Sequence, residues 1–279
     1  MMNPFERTIV VGVDGYDDSL AAVDLAAAEA DARGLPLLLL SAHPVAGAVG
    51  PHLTLTAIMR RVCTIWPGVR TSARNITADP ADALIQASRR AALLVTGRRG
   101  HISDESPGSV SAEIAAHAMC PTIVVPQDAP ALIDQPVLLA LGMSPDDETI
   151  AGVAFEEASL RGVPLVATHV WSGVPATAVA SVDPFAYDLR RAEESADRLI
   201  AETLAGWSSK YPDVEVRRMP LYDTNPAQAL LDASDGAGLL VVGARRYGRR
   251  SSMLLGTLTR ALLRHAARPV AVVSSLHHH

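Results

Sequence analysis

The stretch LVVGARRYGRRSSMLLGT, residues 240–257, carries the pattern that decides the fold of this chain. The apolar run over residues 239–242 predicts a buried strand that ends at Gly243. A loop with four arginines follows, namely Arg245, Arg246, Arg249 and Arg250. Gly256 and Thr257 then open a helical pattern. A strand, a glycine-bearing loop and a helix N-terminus favour anion binding, because backbone N–H groups and the positive end of the helix dipole converge there.

A related stretch, LLVTGRRGHISDESPGS, lies earlier at residues 93–109. Gly97 matches Gly243 at an offset of 146 residues, and Gly108 matches Gly256 at an offset of 148. Two copies of one pattern at a nearly fixed offset indicate an internal repeat. The chain is therefore expected to contain the same structural unit twice.

The repeat predicts two domains, residues 1–128 and residues 134–276, joined near the segment PQDAPALIDQ at residues 126–135. The offset is only 128 at the first two strands, so the second copy carries about 18 extra residues, mostly in one long helix. The last three residues, 277–279, are histidines typical of a purification tag and are excluded from the interpretation of sites.

Strand and helix patterns alternate through both copies. Strands are predicted at residues 8–13, 36–42, 69–76, 92–96 and 122–125, then at 137–141, 165–170, 214–219, 239–242 and 270–273. Helices are predicted at residues 20–33, 53–66, 80–90 and 110–119, then at 144–161, 184–210, from 226 and at 258–267. In the second of these helices Leu53, Ile58, Val62 and Ile65 lie near one face. This alternation predicts an α/β protein with two tandem, doubly wound, five-stranded parallel sheets of the Rossmann-like class. Ligands in such sheets bind at the carboxyl ends of the strands.

Composition and charge limit the classes of molecule that the protein is expected to bind and the compartment in which it is expected to work. The formal net charge of −6 gives no overall attraction to nucleic acid or to an anionic membrane. Apolar runs are too short to span a bilayer, and the first seven residues lead straight into a strand without a signal-peptide pattern. Two distant cysteines, Cys63 and Cys120, favour free thiols in a reducing compartment. A cytoplasmic protein that binds neither nucleic acid nor membrane is expected.

Several motifs together resemble the universal stress proteins. These are a strand ending in Asp14, the helix start Asp79-Pro80-Ala81, a Gly-x2-Gly-x9-Gly-Ser/Thr loop, and the endings AHAMCPTIVV and RHAARPVAVV. The resemblance covers nearly the whole chain, which is similar to the tandem two-domain members of this family from actinobacteria. It implies an adenine nucleotide alpha hydrolase-like fold, a role in stress response or regulation, and weak binding of ATP, as Mg-ATP, or another adenine nucleotide.

The resemblance also implies positions for a ligand. In nucleotide-binding members the aspartate lies near the nucleoside, the residue after the second strand flanks adenine, and the glycine loop holds phosphates. In the first copy these positions are Asp14, Ala42, Gly97, Gly100, Gly108 and Ser109. In the second copy they are Gly142, Val170, Gly243, Arg246, Gly256 and Thr257.

Each copy departs from the family pattern in a different way. The first keeps Asp14, but its loop spacer is two residues shorter and contains Asp104 and Glu105, which disfavour a polyphosphate nearby. The second keeps the longer, basic spacer, but Gly142 replaces the aspartate and Arg246 replaces a glycine. That arginine can fill the space of the phosphates or pair with them.

Three functions remain open at this stage. The preferred one is a non-enzymatic stress-response factor with adenine-nucleotide binding, whose two domains pair through their last strands, with a homodimer and protein partners as further expectations. The second is an interaction module with degenerate sites. The third is an ATP hydrolase, but the chain lacks a Walker-type loop, a clear acidic pair for Mg²⁺ and an evident general base.

Histidine spacing predicts no metal site. The alternatives that need no ligand are that Asp14 is a turn residue, that Gly97 and Gly243 serve tight turns, and that the four arginines of the second loop are solvated.

Overall fold

A computed structural model describes residues 7–44, 54–98, 110–129, 134–171, 184–244 and 255–274, with side chains from residue 190 in the helix that begins at 184. The elements of the first copy are β1 Thr8–Gly12, α1 Leu20–Arg33, β2 Leu37–His43, α2 Leu55–Ile65, β3 Thr71–Thr77, α3 Pro80–Ser88, β4 Ala91–Arg98, α4 Val110–His117 and β5 Thr122–Pro126. Those of the second copy are β6 Val137–Leu141, α5 Asp147–Arg161, β7 Leu165–Trp171, α6 Pro184–Thr203, α7 Trp207–Lys210, β8 Val216–Arg218, β9 Leu221–Tyr222, α8 Pro226–Ser234, β10 Leu239–Gly243, α9 Thr257–His265 and β11 Val270–Val273.

The chain forms two compact units. Unit 1 comprises Met1–Pro130 and Ala244–His279, and unit 2 comprises Ala131–Gly243. The unit boundary therefore differs from the repeat boundary, because α9 and β11 belong to the second copy by sequence and to unit 1 by packing. In unit 1, β11 forms an antiparallel ladder with β5 in which Val270 lies opposite Val124.

Unit 1 has the strand order β3-β2-β1-β4-β5-β11. Its first five strands are parallel to their neighbours, with helices between them, as the alternation of strands and helices predicted. Apolar residues on consecutive positions of β1 are buried, which is typical of a strand covered by helices on both faces. One face packs against α3 and α4 through a cluster of Val10, Leu38, Leu40, Ala81, Leu84, Leu94, Ile114, Ala118 and Cys120.

Unit 2 has the order β10-β6-β7-β8, and the short strand β9 pairs with β7. Its sheet ladders are parallel as well. The Rossmann-like α/β class predicted from the sequence is thus confirmed. In each unit the strand order reverses beside the first strand of the copy, between β1 and β4 in unit 1 and between β6 and β10 in unit 2.

Helix boundaries follow local signals that the sequence displays. Asp79 accepts hydrogen bonds from the backbone N–H groups of Ala81 at 2.9 Å and Asp82 at 3.1 Å, with Pro80 at the first helical position. Asn225 caps α8 in the same way. Gly34 ends α1 in the left-handed conformation, where only glycine is free of strain.

Three details of the sequence-based prediction are wrong. The helix predicted over residues 184–210 is two helices, α6 and α7, because Gly206 takes a φ of 87° between them. The strand β9 was not predicted, since two residues give no periodicity. Ile65 was assigned to the buried face of α2 and is 48% exposed, while Ile58 and Val62 are buried. Leu53, assigned to the same face, lies outside the described residues.

Candidate functional site at the carboxyl ends of the strands

The carboxyl edge of unit 1 brings together three of the predicted ligand positions. Gly12 lies opposite Leu40 in the ladder between β1 and β2, and Asp14 and Ala42 each come two residues beyond that pair. Val11 lies opposite Val95 in the ladder between β1 and β4, and Gly97 comes two residues beyond Val95. Neighbouring strands are about 5 Å apart, so the three positions lie side by side at the point where the strand order reverses.

Asp14 organises the loop that leaves β1. Its Oδ1 accepts a hydrogen bond of 3.1 Å from the backbone N–H of Tyr16, and Gly15 between them has a φ of 82°. The Ser19 hydroxyl donates to the Tyr16 carbonyl at 2.8 Å and holds the far side of the same loop. The turn interpretation of Asp14 is therefore correct, and the half-buried carboxylate is also held at the sheet edge.

Arg98 follows Gly97 and is the last residue of β4. Its half-buried guanidinium donates from Nη1 to the carbonyl of Leu263 in α9, at 3.0 Å. Burial lowers the pKa of Arg98 below its usual value, because the charged form loses solvation. A positive charge is thus held in unit 1, beside the position predicted for phosphates.

The carboxyl edge of unit 2 has the same backbone arrangement with different side chains. Leu141 lies opposite His169, and Gly142 and Val170 each come one residue beyond that pair. Val170 pairs with Leu221 of β9, and the next residue, Trp171, stacks at a tilt on Tyr222 with ring centroids 4.6 Å apart. Gly142 has no side chain with which to contact a nucleoside.

A carboxylate from the following helix serves the loop after β6. Asp147, in the first turn of α5, is 4% exposed, and its Oδ2 accepts hydrogen bonds from the backbone N–H groups of Gly142 and Ser144, both at 3.1 Å. At the offset of 128, Ser144 matches Tyr16 and Asp147 matches Ser19. The N–H that Asp14 binds in the first copy is therefore bound by Asp147 in the second.

Gly243 is required by close packing in unit 2. A Cβ at this position would lie 2.6 Å from Cδ1 of Ile150, which is itself 3% exposed. The matching residue in α1 is the smaller Ala22, also buried. Beside the carboxyl end of β6, unit 2 therefore carries the buried residues Ile150 and Asp147 where unit 1 carries Ala22 and Ser19.

The remaining predicted positions fall at α9 or outside the description. Gly256 is the N-cap of α9 and is buried, and Thr257, its first residue, is exposed. Both lie in unit 1. The other predicted loop residues lie outside the described residues, namely Gly100, Gly108, Ser109 and Arg246, together with Asp104, Glu105 and the other arginines of the basic loop.

Within the described residues, no group of three or more His, Cys, Asp or Glu side chains is arranged to hold a metal ion. None of the helices described is long and apolar enough to cross a membrane.

Comparison with known proteins shows the family of this chain. A sequence model of the universal stress protein family matches residues 64–126 and 135–274. The chain belongs to the universal stress protein family. A universal stress protein of Mycolicibacterium smegmatis is 36% identical over 295 residues, which cover 96% of this chain and 97% of that protein. One of Mycobacterium tuberculosis is 32% identical over 293 residues, with the same coverage.

A solved structure supports the fold of this universal stress protein. A universal stress protein of Archaeoglobus fulgidus superposes with a TM-score of 0.65 and covers 99% of this chain and 100% of its own. Its sequence identity is 19%, so this likeness concerns the fold alone.

Three residues of this universal stress protein that shape the edges were missed by sequence reasoning. They are Arg98, Asp147 and Ile150. A signal for Asp147 existed, since an acidic residue stands at the helix start of the copy that lacks the strand-end aspartate. Ile150 and Arg98 gave no signal, because their roles depend on contacts with Gly243 and with a helix 165 residues away in the chain.

Proposed function

We propose that this universal stress protein is a cytoplasmic stress-response factor, not an enzyme, which binds an adenine nucleotide through its first copy. The observation that carries the proposal is the juxtaposition of Asp14, Ala42 and Gly97 where the strand order of unit 1 reverses. Such a crevice is where doubly wound sheets bind ligands. Asp14 would contact the ribose, Ala42 would flank the base, and Gly97 would admit the phosphates close to the backbone.

The contrast between the copies supports assigning the ligand to the first. In unit 2 the strand end carries Gly142 in place of an aspartate, and the carboxylate beside it, Asp147, is buried and already accepts hydrogen bonds from two backbone N–H groups of the loop. Ile150 also occupies the space next to Gly243. We therefore expect one nucleotide per chain, bound with the phosphates toward the end of β4.

The test combines mass spectrometry of nucleotide released from denatured protein with isothermal titration of Mg-ATP. We expect one bound nucleotide per chain, and we expect Asp14→Ala to weaken binding about ten- to a hundred-fold, which is the worth of hydrogen bonds to a charged group. The matched control is Asp17→Ala, which removes an exposed carboxylate from the same loop and should leave affinity unchanged. Absence of co-purified nucleotide and of heat at millimolar Mg-ATP would refute the proposal.

A second candidate is a nucleotide-free interaction module. Two features of unit 2 favour it for the second copy: Ile150 packs against Gly243, and the carboxylate of Asp147 is buried and bound to the backbone of its own loop. Homodimerisation and protein partners belong to this proposal too. Thermal denaturation in the presence of ATP, ADP or AMP distinguishes the candidates, because an interaction module without a nucleotide site predicts no change in melting temperature with any of them.

A further inference from the structure

Arg98 lies where two functional elements of unit 1 meet. Val11 and Val95 are opposite each other in the ladder, and Asp14 and Arg98 each come three residues beyond that pair. The side chain of Arg98 contacts α9, where it donates to the carbonyl of Leu263. One arginine therefore connects the edge proposed for the nucleotide with the last helix of the chain.

The partner of Arg98 is a weak one for its charge. A guanidinium offers five N–H donors in a planar fork, and a carbonyl accepts without supplying a negative charge. Within the described segments no carboxylate lies within ion-pair distance of Arg98. A phosphate binds such a fork with two charge-assisted hydrogen bonds, which are about twice as strong as neutral ones.

The carbonyl that Arg98 binds is one of those a helix cannot satisfy by itself. The last four carbonyls of a helix lack intrahelical donors, and Leu263 is within the last turn of α9. The final backbone hydrogen bond at this end runs from the N–H of Ala266 to the carbonyl of Leu262, at 2.9 Å. With nine residues, α9 is too short to be stable alone. The hydrogen bond from Arg98 therefore helps to keep its last turn helical.

We propose that Arg98 has two alternative partners, the phosphate group of a nucleotide bound at the first-copy edge and the Leu263 carbonyl, so that a phosphate-bearing ligand loosens the C-terminal end of α9. This inference rests on the proposed function of unit 1 and adds to it a residue, Arg98, that binds the phosphate group and so distinguishes a nucleotide from a nucleoside. It also adds a structural response, the loosening of α9. The N-cap of this helix, Gly256, and its first residue, Thr257, are the phosphate positions that the family implies for the second copy. Occupancy of the first copy is thereby coupled to the helix of the second.

The experiment uses the full chain with Mg-ATP and, separately, adenosine. Affinity is measured by isothermal titration, and opening of α9 by hydrogen exchange of peptides that contain residues 257–266. The variant Arg98→Met keeps an apolar stem and removes the charge, and Arg98→Lys keeps the charge without the fork. Arg89→Met is the matched control, because Arg89 is exposed at the end of α3, on the amino side of the sheet.

We expect wild-type protein to exchange faster in α9 with Mg-ATP and to be unchanged there with adenosine. Arg98→Met should exchange faster without ligand, show no further response to Mg-ATP, and bind Mg-ATP about tenfold more weakly with unchanged affinity for adenosine. Arg98→Lys should fall between them, and Arg89→Met should match the wild type.

Two results separate this inference from the function on which it rests. Equal affinity of wild type and Arg98→Met for Mg-ATP, or slower or unchanged exchange of α9 in the wild type with bound Mg-ATP, overturns the role of Arg98 and leaves nucleotide binding intact. Absence of binding of both Mg-ATP and adenosine to the wild type overturns the inference together with the proposed function.

Discussion

The carboxylate of Asp147 accepts a hydrogen bond from the backbone N–H of Gly142, at 3.1 Å, and so restores to the second copy the acidic group that its strand end lacks. In the first copy the acid comes from the strand end itself, as Asp14, and the helix start carries Ser19. The carboxylate that binds the loop N–H group therefore comes from the strand end in the first copy and from the helix start in the second. The loop keeps its acceptor, but the strand end of the second copy has no carboxylate of its own.

Removal of this acceptor should destabilise the protein. Asp147→Ala leaves the N–H groups of Gly142 and Ser144 without the carboxylate, and we expect the free energy of unfolding to fall by about 2 kcal/mol. Urea denaturation followed by circular dichroism measures it. The control is Glu148→Ala, an exposed acid in the next position, which should change stability by less than about 0.5 kcal/mol. Equal effects of both variants would show that the buried hydrogen bonds contribute nothing beyond charge.

Met143 occupies a backbone conformation that suits glycine. Its φ is 59°, and the matching residue in the first copy is Gly15, with a φ of 82°. A left-handed conformation costs L-residues roughly 1–2 kcal/mol, so Met143→Gly should raise the free energy of unfolding by about 1 kcal/mol, and Gly15→Met should lower it by a similar amount. Chemical denaturation of both variants checks this. A neutral or destabilising Met143→Gly would contradict the expectation of strain.

Gly243 should tolerate no added methyl group, whether or not a nucleotide binds. The Cβ of Gly243→Ala meets Cδ1 of Ile150 at 2.6 Å, and we expect a loss of about 1–3 kcal/mol. Ile150→Val removes that carbon atom, so the double variant should lose less than the sum of the two single ones. Gly236→Ala is the control, because a Cβ there meets nothing within 4 Å. Additive losses in the double variant would mean that the two residues do not compete for the same space.

The two cysteines should differ in reactivity. Burial raises the pKa of Cys120 to about 12, so its thiol stays protonated at pH 8, while Cys63 is exposed on α2. Native protein treated with iodoacetamide at pH 8 should gain one label, as mass spectrometry will show, and denatured protein should gain two. Cys63→Ser should gain none under native conditions. A native label on Cys120 would indicate that the core of unit 1 opens readily.

Helix ends were predictable because their signals are local. Asp79 before Pro80 and Asn225 before Pro226 act as N-caps whose side chains reach N–H groups only two or three residues away. Gly34 and Gly162 end their helices for a similar reason, since a left-handed φ is a property of one residue. The break at Gly206 depends on one residue too, but the helical pattern continued across it and concealed it.

The occupants of the ligand edge were less predictable. The positions of Asp14, Ala42 and Gly97 follow from strand order, which alternation of strands and helices constrains strongly. The packing of Ile150 against Gly243 and the burial of Asp147 do not follow from alternation, because they depend on which side chains of α5 face the sheet.

The sequence by itself determined the repeat, the Rossmann-like class and the family, because periodicity, caps and glycine spacing are properties of neighbouring residues and of their recurrence. Only the tertiary structure decided that Arg98 binds the carbonyl of Leu263 and that Ile150 packs against Gly243. These contacts join residues that are distant in the chain. Their existence depends on how the elements pack in space, and no local pattern encodes that.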